Sequence, residues 1–177
     1  ENGSAMHQYF PLTMEANEGD SREEEHLQKY YGDDHLWAVL ACAQYVKETG
    51  NVDFLDKEIT FYSKTLPLEE REKGSVYEHI KRGLAFTWNN IGQHKLPLLG
   101  FADWNDTVNL PTGAESLFVA NLFGRAIVEM RSIVEFIGDT ETLALLDEYH
   151  KVMKERVNEA AWDGDWWVRY FTNEGEP

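Results

Sequence analysis

Between Gly100 and Ser116 the chain reads GFADWNDTVNLPTGAES, which sets Asp103, Trp104, Asn105 and Asp106 side by side. Breaking a glycosidic bond requires an acid that protonates the departing oxygen. A carboxyl group serves when burial or a neighbouring negative charge keeps it protonated near neutral pH, and two Asp side chains three positions apart can couple in that way. The indole of Trp104 offers a flat apolar face to the C–H side of a pyranose, and the Asn105 amide can donate to and accept from hydroxyls. The same residue types also build a plain Asx-rich turn, with side chains bonded to their own backbone and Trp104 plugging the helix ends. By residue type alone that turn is the commoner outcome.

A second acidic stretch, GDDHLW from Gly32 to Trp37, invites a cation site made by Asp33, Asp34, His35 and His26. Adjacent positions at a helix start point in different directions, so convergence on one ion is disfavoured. Asp33 and Asp34 instead suit a helix cap and its dipole, with substrate contact by one of them, Asp34, as the sharper alternative. HQYFPLT, His7 to Thr13, reads as a loop able to line a pocket. Trp37 and Trp88 sit at helical spacing and read as core, while the charge runs SREEEH and LEEREKG read as solvated. Neither a glycine-rich phosphate loop nor a Ser, His, Asp order is visible, and no metal site is expected.

The elements that must hold these groups are mostly helical. Asp33 to Gly50 places Leu36, Trp37, Val39, Leu40, Ala43 and Val46 on a broad apolar face. Ser75 and Glu78 form a capping pair that opens a second helix, carrying Ile80, Leu84 and Trp88 to Gly92. Thr112 and Glu115 form another, ahead of a long apolar helix that ends at Gly138. A fourth helix follows from Asp139, and a short apolar turn lies at Val52 to Leu55. The aromatic end AAWDGDWWVRYFTNEGEP, with turn signals at Asp163-Gly164 and Glu174-Gly175, predicts a short β-hairpin. Four helices joined by unequal loops predict an all-α toroid or solenoid of helix pairs, with function on the long loop Gln93 to Pro111.

Composition narrows the partners. The 177 residues carry a net charge of -16 and no long basic run, which opposes binding to nucleic acid or to an anionic membrane surface. The single cysteine, Cys42, cannot build a disulfide framework. No apolar run is long enough to span a bilayer. A cytoplasmic location is a separate expectation. Both ends read as interrupted, and residues 1–177 are expected to be a fragment of a single longer domain.

At DWND the sequence resembles the inverting disaccharide phosphorylases of glycoside hydrolase family 94, formerly glycosyltransferase family 36. The stretches HQYFPLT, GDDHLWAVLACAQYVKETGN, LPLLGFADWNDTVN, GAESLFVANLF and AWDGDWWVRYF agree with it in order along nearly the whole chain. The family's usual run is DWNDGMN, and here Thr107 and Val108 stand in place of Gly and Met before Asn109. The resemblance implies part of an (α/α)6 barrel, with Asp106 as general acid and Trp104 at the donor sugar. Asp103, Asn105, Asn109 and Asp34 complete the expected substrate contacts. It implies a β-linked disaccharide or oligosaccharide as substrate, inorganic phosphate as co-substrate, an α-sugar 1-phosphate as product and no cofactor. A homodimer of the full-length protein is implied too. The family's donor-binding Arg and Asp would lie upstream and its phosphate-binding residues downstream, so the fragment alone is expected to be inactive. The competing readings are a helical-toroid glycoside hydrolase and a non-catalytic module of a larger glucan synthase.

Overall fold

The computed structural model describes residues 2–13, 15–17, 19, 30–63, 65–108 and 110–177. His26, Asn109 and the charge run SREEEH lie outside the described residues. Four helices dominate: α1 (Asp34–Thr49), α2 (Val76–Asn89), α3 (Leu117–Ile137) and α4 (Thr140–Ala160). Among the described residues, six short strands pair antiparallel in twos: β1 (Gln8–Phe10) with β2 (Glu15–Asn17), β3 (Glu58–Thr60) with β4 (Lys73–Ser75), and β5 (Glu115–Ser116) with β6 (Tyr170–Phe171). The region is therefore helical with small strand pairs at its loops. HQYFPLT supplies β1 of a hairpin, in place of an irregular loop.

α3 is the central element, packed against α4 on one side and α1 on the other. Its Phe123, Ile127, Met130 and Val134 are buried among Leu36, Val39, Ala43 and Val46 of α1 and Leu146, Tyr149 and Met153 of α4. Burying side chains of this kind supplies roughly 1.5–3 kcal/mol each, and this cluster holds the helix ends in place. α2 packs against α1 through Ile80 and Leu84 and also touches α3. Trp88 packs as its spacing predicts, stacked on Tyr149 with ring centroids 4.3 Å apart.

The helix boundaries follow local chemistry. The Ser75 hydroxyl accepts from the Glu78 N–H at 3.1 Å, the capping bond expected there. Gly50 and Gly138 end α1 and α3 in left-handed conformations, at φ 68° and 76°. α2 stops at Asn90, before Gly92, because Ile91 pairs with Pro97 and the Asn90 carbonyl accepts from Leu98 N–H.

The expected cap at Thr112 and Glu115 is not the start of α3. Ser116 caps it, accepting from Val119 N–H at 3.2 Å. Glu115 is buried in β5, where its carboxylate accepts from the backbone N–H groups of His94 and Leu96, each at 3.0 Å. A Thr-x-x-Glu spacing fits both uses, and the 92–96 turn decides the matter by presenting N–H groups that require an acceptor. The C-terminal segment turns at Gly164, bridges Trp162 to Trp167, and then runs to β6. There it pairs with β5 at the root of α3, so the strand's partner is distant in sequence.

His35 joins α1 to α2. It is buried, with Nε2 2.6 Å from Thr87 Oγ1 and its ring edge against Phe86. Burial lowers its pKa from 6.5 to about 4. The unfolded chain binds this proton below about pH 6.5, whereas the folded one binds it only near pH 4. Stability from neutral His35 is therefore complete above pH 6.5 and lost as pH falls toward 4, by on the order of 3 kcal/mol. In the whole protein, His35→Leu is expected to flatten the fall in melting temperature between pH 6.5 and 4 relative to wild type. An unchanged pH slope would show that His35 is not the group responsible.

Candidate functional site

The loop carrying DWND is closed at its base by two backbone bonds: Leu99 N–H to Ala114 O at 2.8 Å, and Ser116 N–H to Pro97 O at 2.9 Å. One flank of the loop lies against the segment that leads into α1. Phe101 N–H donates to Tyr30 O at 2.8 Å, and Gly32 N–H to Ala102 O at 2.9 Å. Two glycines permit this approach. A Cβ on Gly32 would stand 2.6 Å from Leu99 O, and one on Gly100, which has φ 73°, would stand 2.5 Å from Tyr30 O. The contact sets GDDHLW beside DWND, a juxtaposition that the separate motifs did not reveal.

Asp103 is the buried end of the cluster, at 0% exposure. One carboxylate oxygen accepts from Ser116 Oγ at 2.8 Å. The other accepts from Asn105 N–H and from the Tyr170 hydroxyl, each at 3.1 Å. The Arg169 guanidinium lies 3.6 Å away. Asp103 was expected among the substrate contacts, and its two carboxylate oxygens are engaged by these partners. Ser116, Arg169 and Tyr170 had no assigned role in the sequence. Their only signal there was membership of the ordered stretches GAES and RYF.

The neighbours of Asp103 are arranged differently. Trp104 is 60% exposed, with its ring centroid 6.0 Å from Phe118 and the Arg169 guanidinium 5.8 Å from its face. Its indole is therefore presented outward and does not plug a helix end. Asn105 takes part in an Asx turn, accepting from Thr107 Oγ1 at 2.7 Å and from Thr107 N–H at 3.3 Å. Asp106 lies exposed in the turn closed by Val108 N–H to Asn105 O, and among the described residues no hydrogen bond ties its carboxylate down. The stretch is thus a turn at Asp103 and Asn105 and an open surface at Trp104 and Asp106.

Asp33, Asp34 and His35 diverge, as adjacent positions at a helix start should. His35 faces Thr87, Asp34 Oδ2 lies 3.0 Å from His7 Nδ1, and Asp33 accepts from the Trp37 indole N–H at 2.7 Å. His7 in turn stacks on Tyr31 at 3.6 Å. Asp33 does not cap α1 with its side chain. Burial raises the Asp34 carboxyl, opposed by His7, and the charge of Asp106 adds to the rise. Asp33, at 3% exposure, is raised from 3.8 to about 6, chiefly by burial. The Trp37 bond opposes that shift, and the charges of Asp34 and Asp103 add to it. Trp37, read as core, is exposed. Among the described residues no group of three or more His, Cys, Asp or Glu side chains is placed to hold a metal ion.

The arrangement joins a carboxyl cluster to outward indoles and one guanidinium, a surface suited to a neutral polyhydroxylated ring and to proton transfer at its edge. Comparison with known proteins agrees in kind. The family model described as the glycosyl hydrolase 94 superfamily, catalytic domain, matches residues 1–177. An N,N'-diacetylchitobiose phosphorylase of Vibrio proteolyticus is 33% identical over 146 residues, covering 81% of this chain and 17% of its own. A solabiose phosphorylase of Paenibacillus borealis is 31% identical over 150 residues, with 82% and 19% covered. The cyclic beta-(1,2)-glucan synthase NdvB of Rhizobium meliloti is 28% identical over 160 residues, with 82% and 6% covered. The chain thus spans less than a fifth of the length of these relatives.

Asp33 provides a test of the electrostatics. In the folded state it holds its proton up to about pH 6, whereas an unfolded Asp releases it near 3.8, so ionised Asp33 costs stability above that window. Asp33→Asn keeps an acceptor for the Trp37 N–H and removes the charge. The variant's stability gain over wild type is expected to grow from pH 4 to 6 and then hold at on the order of 3 kcal/mol. A variant equal to wild type at pH 8 would refute the assignment.

Proposed function

The chain belongs to the glycosyl hydrolase 94 superfamily, over its catalytic domain, and from that membership we propose that the whole protein phosphorolyses a β-linked disaccharide or oligosaccharide with inversion. The products are an α-sugar 1-phosphate and the released sugar. The observation that carries this reading is the exposure of Asp106, two residues beyond the outward indole of Trp104 and within electrostatic reach of Asp34.

In this mechanism the donor ring lies on Trp104, and Asp106 protonates the bridging oxygen as the bond to the anomeric carbon breaks. A saccharide over the loop excludes water from the Asp106 carboxyl. Inorganic phosphate attacks the anomeric carbon from the opposite face, forming the new C–O bond. Phosphate is already an anionic nucleophile, so the second carboxylate that an inverting hydrolase uses to activate water is not required. What the protein supplies is placement. Asp103 serves from below by fixing the loop, and Asn105 offers its amide N–H groups to ring hydroxyls. Asn109 is a further substrate contact, and Asp34 stands beside the acid. The cycle needs inorganic phosphate and no organic cofactor or metal. The helices form part of an (α/α)6 barrel, of which α1 and α3 present their N-terminal ends to the site. The similarity to several disaccharide phosphorylases supports the reaction class.

In the whole protein, Asp106→Asn is expected to lower phosphorolysis by at least a thousandfold with helical content unchanged, because an amide cannot donate the proton. Product analysis provides the second check: sugar 1-phosphate should form only when phosphate is present. Free sugar formed without phosphate would mark a hydrolase, and wild-type turnover by the Asn variant would remove Asp106 from the acid role.

A further inference from the structure

Trp37 is a large apolar side chain in the first turn of α1 that the packing does not use. It is 46% exposed, although Leu36 beside it is fully buried. Its orientation is fixed, since the indole N–H donates to Asp33 Oδ2 at 2.7 Å and Asp33 is itself buried. An exposed tryptophan held in place by a buried carboxylate has the form of a preorganised binding face, because the cost of ordering it has already been met in folding. Trp37 also continues the candidate site. Its ring centroid is 6.5 Å from that of Phe118, which is 6.0 Å from that of Trp104, so three rings form one strip.

The two exposed indoles sit on different elements, Trp104 on the loop and Trp37 on α1. Asp106 follows Trp104 on the loop and lies within electrostatic reach of Asp34. Asp34 and Trp37 are three residues apart on α1 and so share one side of its first turn. The carboxyl cluster therefore adjoins both exposed indoles, Asp106 following the one on the loop and Asp33 bonded to the one on the helix. We propose that Trp37 is the stacking platform for the acceptor sugar, the ring on the leaving side of the bond that Asp106 protonates. This rests on the phosphorolysis reading, in which Trp104 carries the donor ring. The ligand class is a β-linked pyranose whose C–H face meets the indole and whose hydroxyls reach the carboxylate rim.

The test uses the whole protein in the synthetic direction, with α-D-glucose 1-phosphate or N-acetyl-α-D-glucosamine 1-phosphate as donor and D-glucose or N-acetylglucosamine as acceptor. Trp37→Ala is expected to raise KM for the acceptor about tenfold while KM for the sugar 1-phosphate stays within about twofold. Trp37→Phe, which keeps an aromatic face, should recover most of the loss. A parallel rise in both constants would overturn the proposal. So would an unchanged acceptor KM with a lowered melting temperature, the result expected if another part of the chain covers Trp37. Cellobiose and N,N'-diacetylchitobiose titrations of tryptophan fluorescence separate this idea from its parent. If wild type forms no sugar 1-phosphate, the phosphorolysis reading falls. Trp37 is then judged by whether its replacement by Phe abolishes part of the quenching, and equal quenching in both proteins refutes it.

Discussion

A carboxylate with no exposed surface, Asp103, is the constraint on which the candidate site depends. Burying an isolated charge is costly unless hydrogen bonds compensate it, and here Ser116, Tyr170 and the Asn105 backbone all donate to it while Arg169 stands beside it. These donors come from the N-terminal end of α3, from β6 and from the loop itself. One group thus fixes the loop against two other elements. Ser116 serves twice, donating to Asp103 through its hydroxyl and accepting from the first turn of α3. The outward positions of Trp104 and Asp106 follow from this anchor, since the residue before them cannot move without leaving several buried polar groups unpaired.

Charge is graded across the site. Asp103 is compensated, Asp33 is buried and raised to about 6, Asp34 is shared with His7, and Asp106 faces solvent. Two chain segments far apart in sequence contribute these groups, and the Gly32 and Gly100 contact sets their separation. In a chain of net charge -16, Arg169 is a notable local cation, lying against Trp104, Phe118 and Tyr170 as well as Asp103. It offsets part of the repulsion that gathering four carboxyl groups creates.

Helices were legible in the sequence because their signals are local. The Ser75 cap, the Gly50 and Gly138 stops and the apolar periodicity of α3 each act within a turn or two. Glu115 was misread because the spacing of a capping pair is also available to a residue whose acceptor is needed elsewhere, and only the 92–96 turn shows the need. Trp37 was misread for a related reason. α1 is apolar around much of its girth, so periodicity could not tell which side the packing with α2 and α3 would leave open. The parts played by Ser116, Arg169 and Tyr170 depend on a pairing of β5 with β6 that no single stretch announces. The candidate acid Asp106 was legible by its motif, whereas the groups that hold its loop became visible only with the fold.

The partnership between Asp103 and Tyr170 also orders events in time. During synthesis the chain emerges from its N-terminal end, so α1, α2 and the DWND loop leave the ribosome well before β6 does. Until residues 169–171 arrive, Asp103 lacks two of its partners and β5 lacks its neighbouring strand. Closing so long a connection is slow relative to helix formation. The nascent chain therefore carries its helices while the loop beside them is still unset, and the outward face of Trp104 and Asp106 takes shape only as β6 docks.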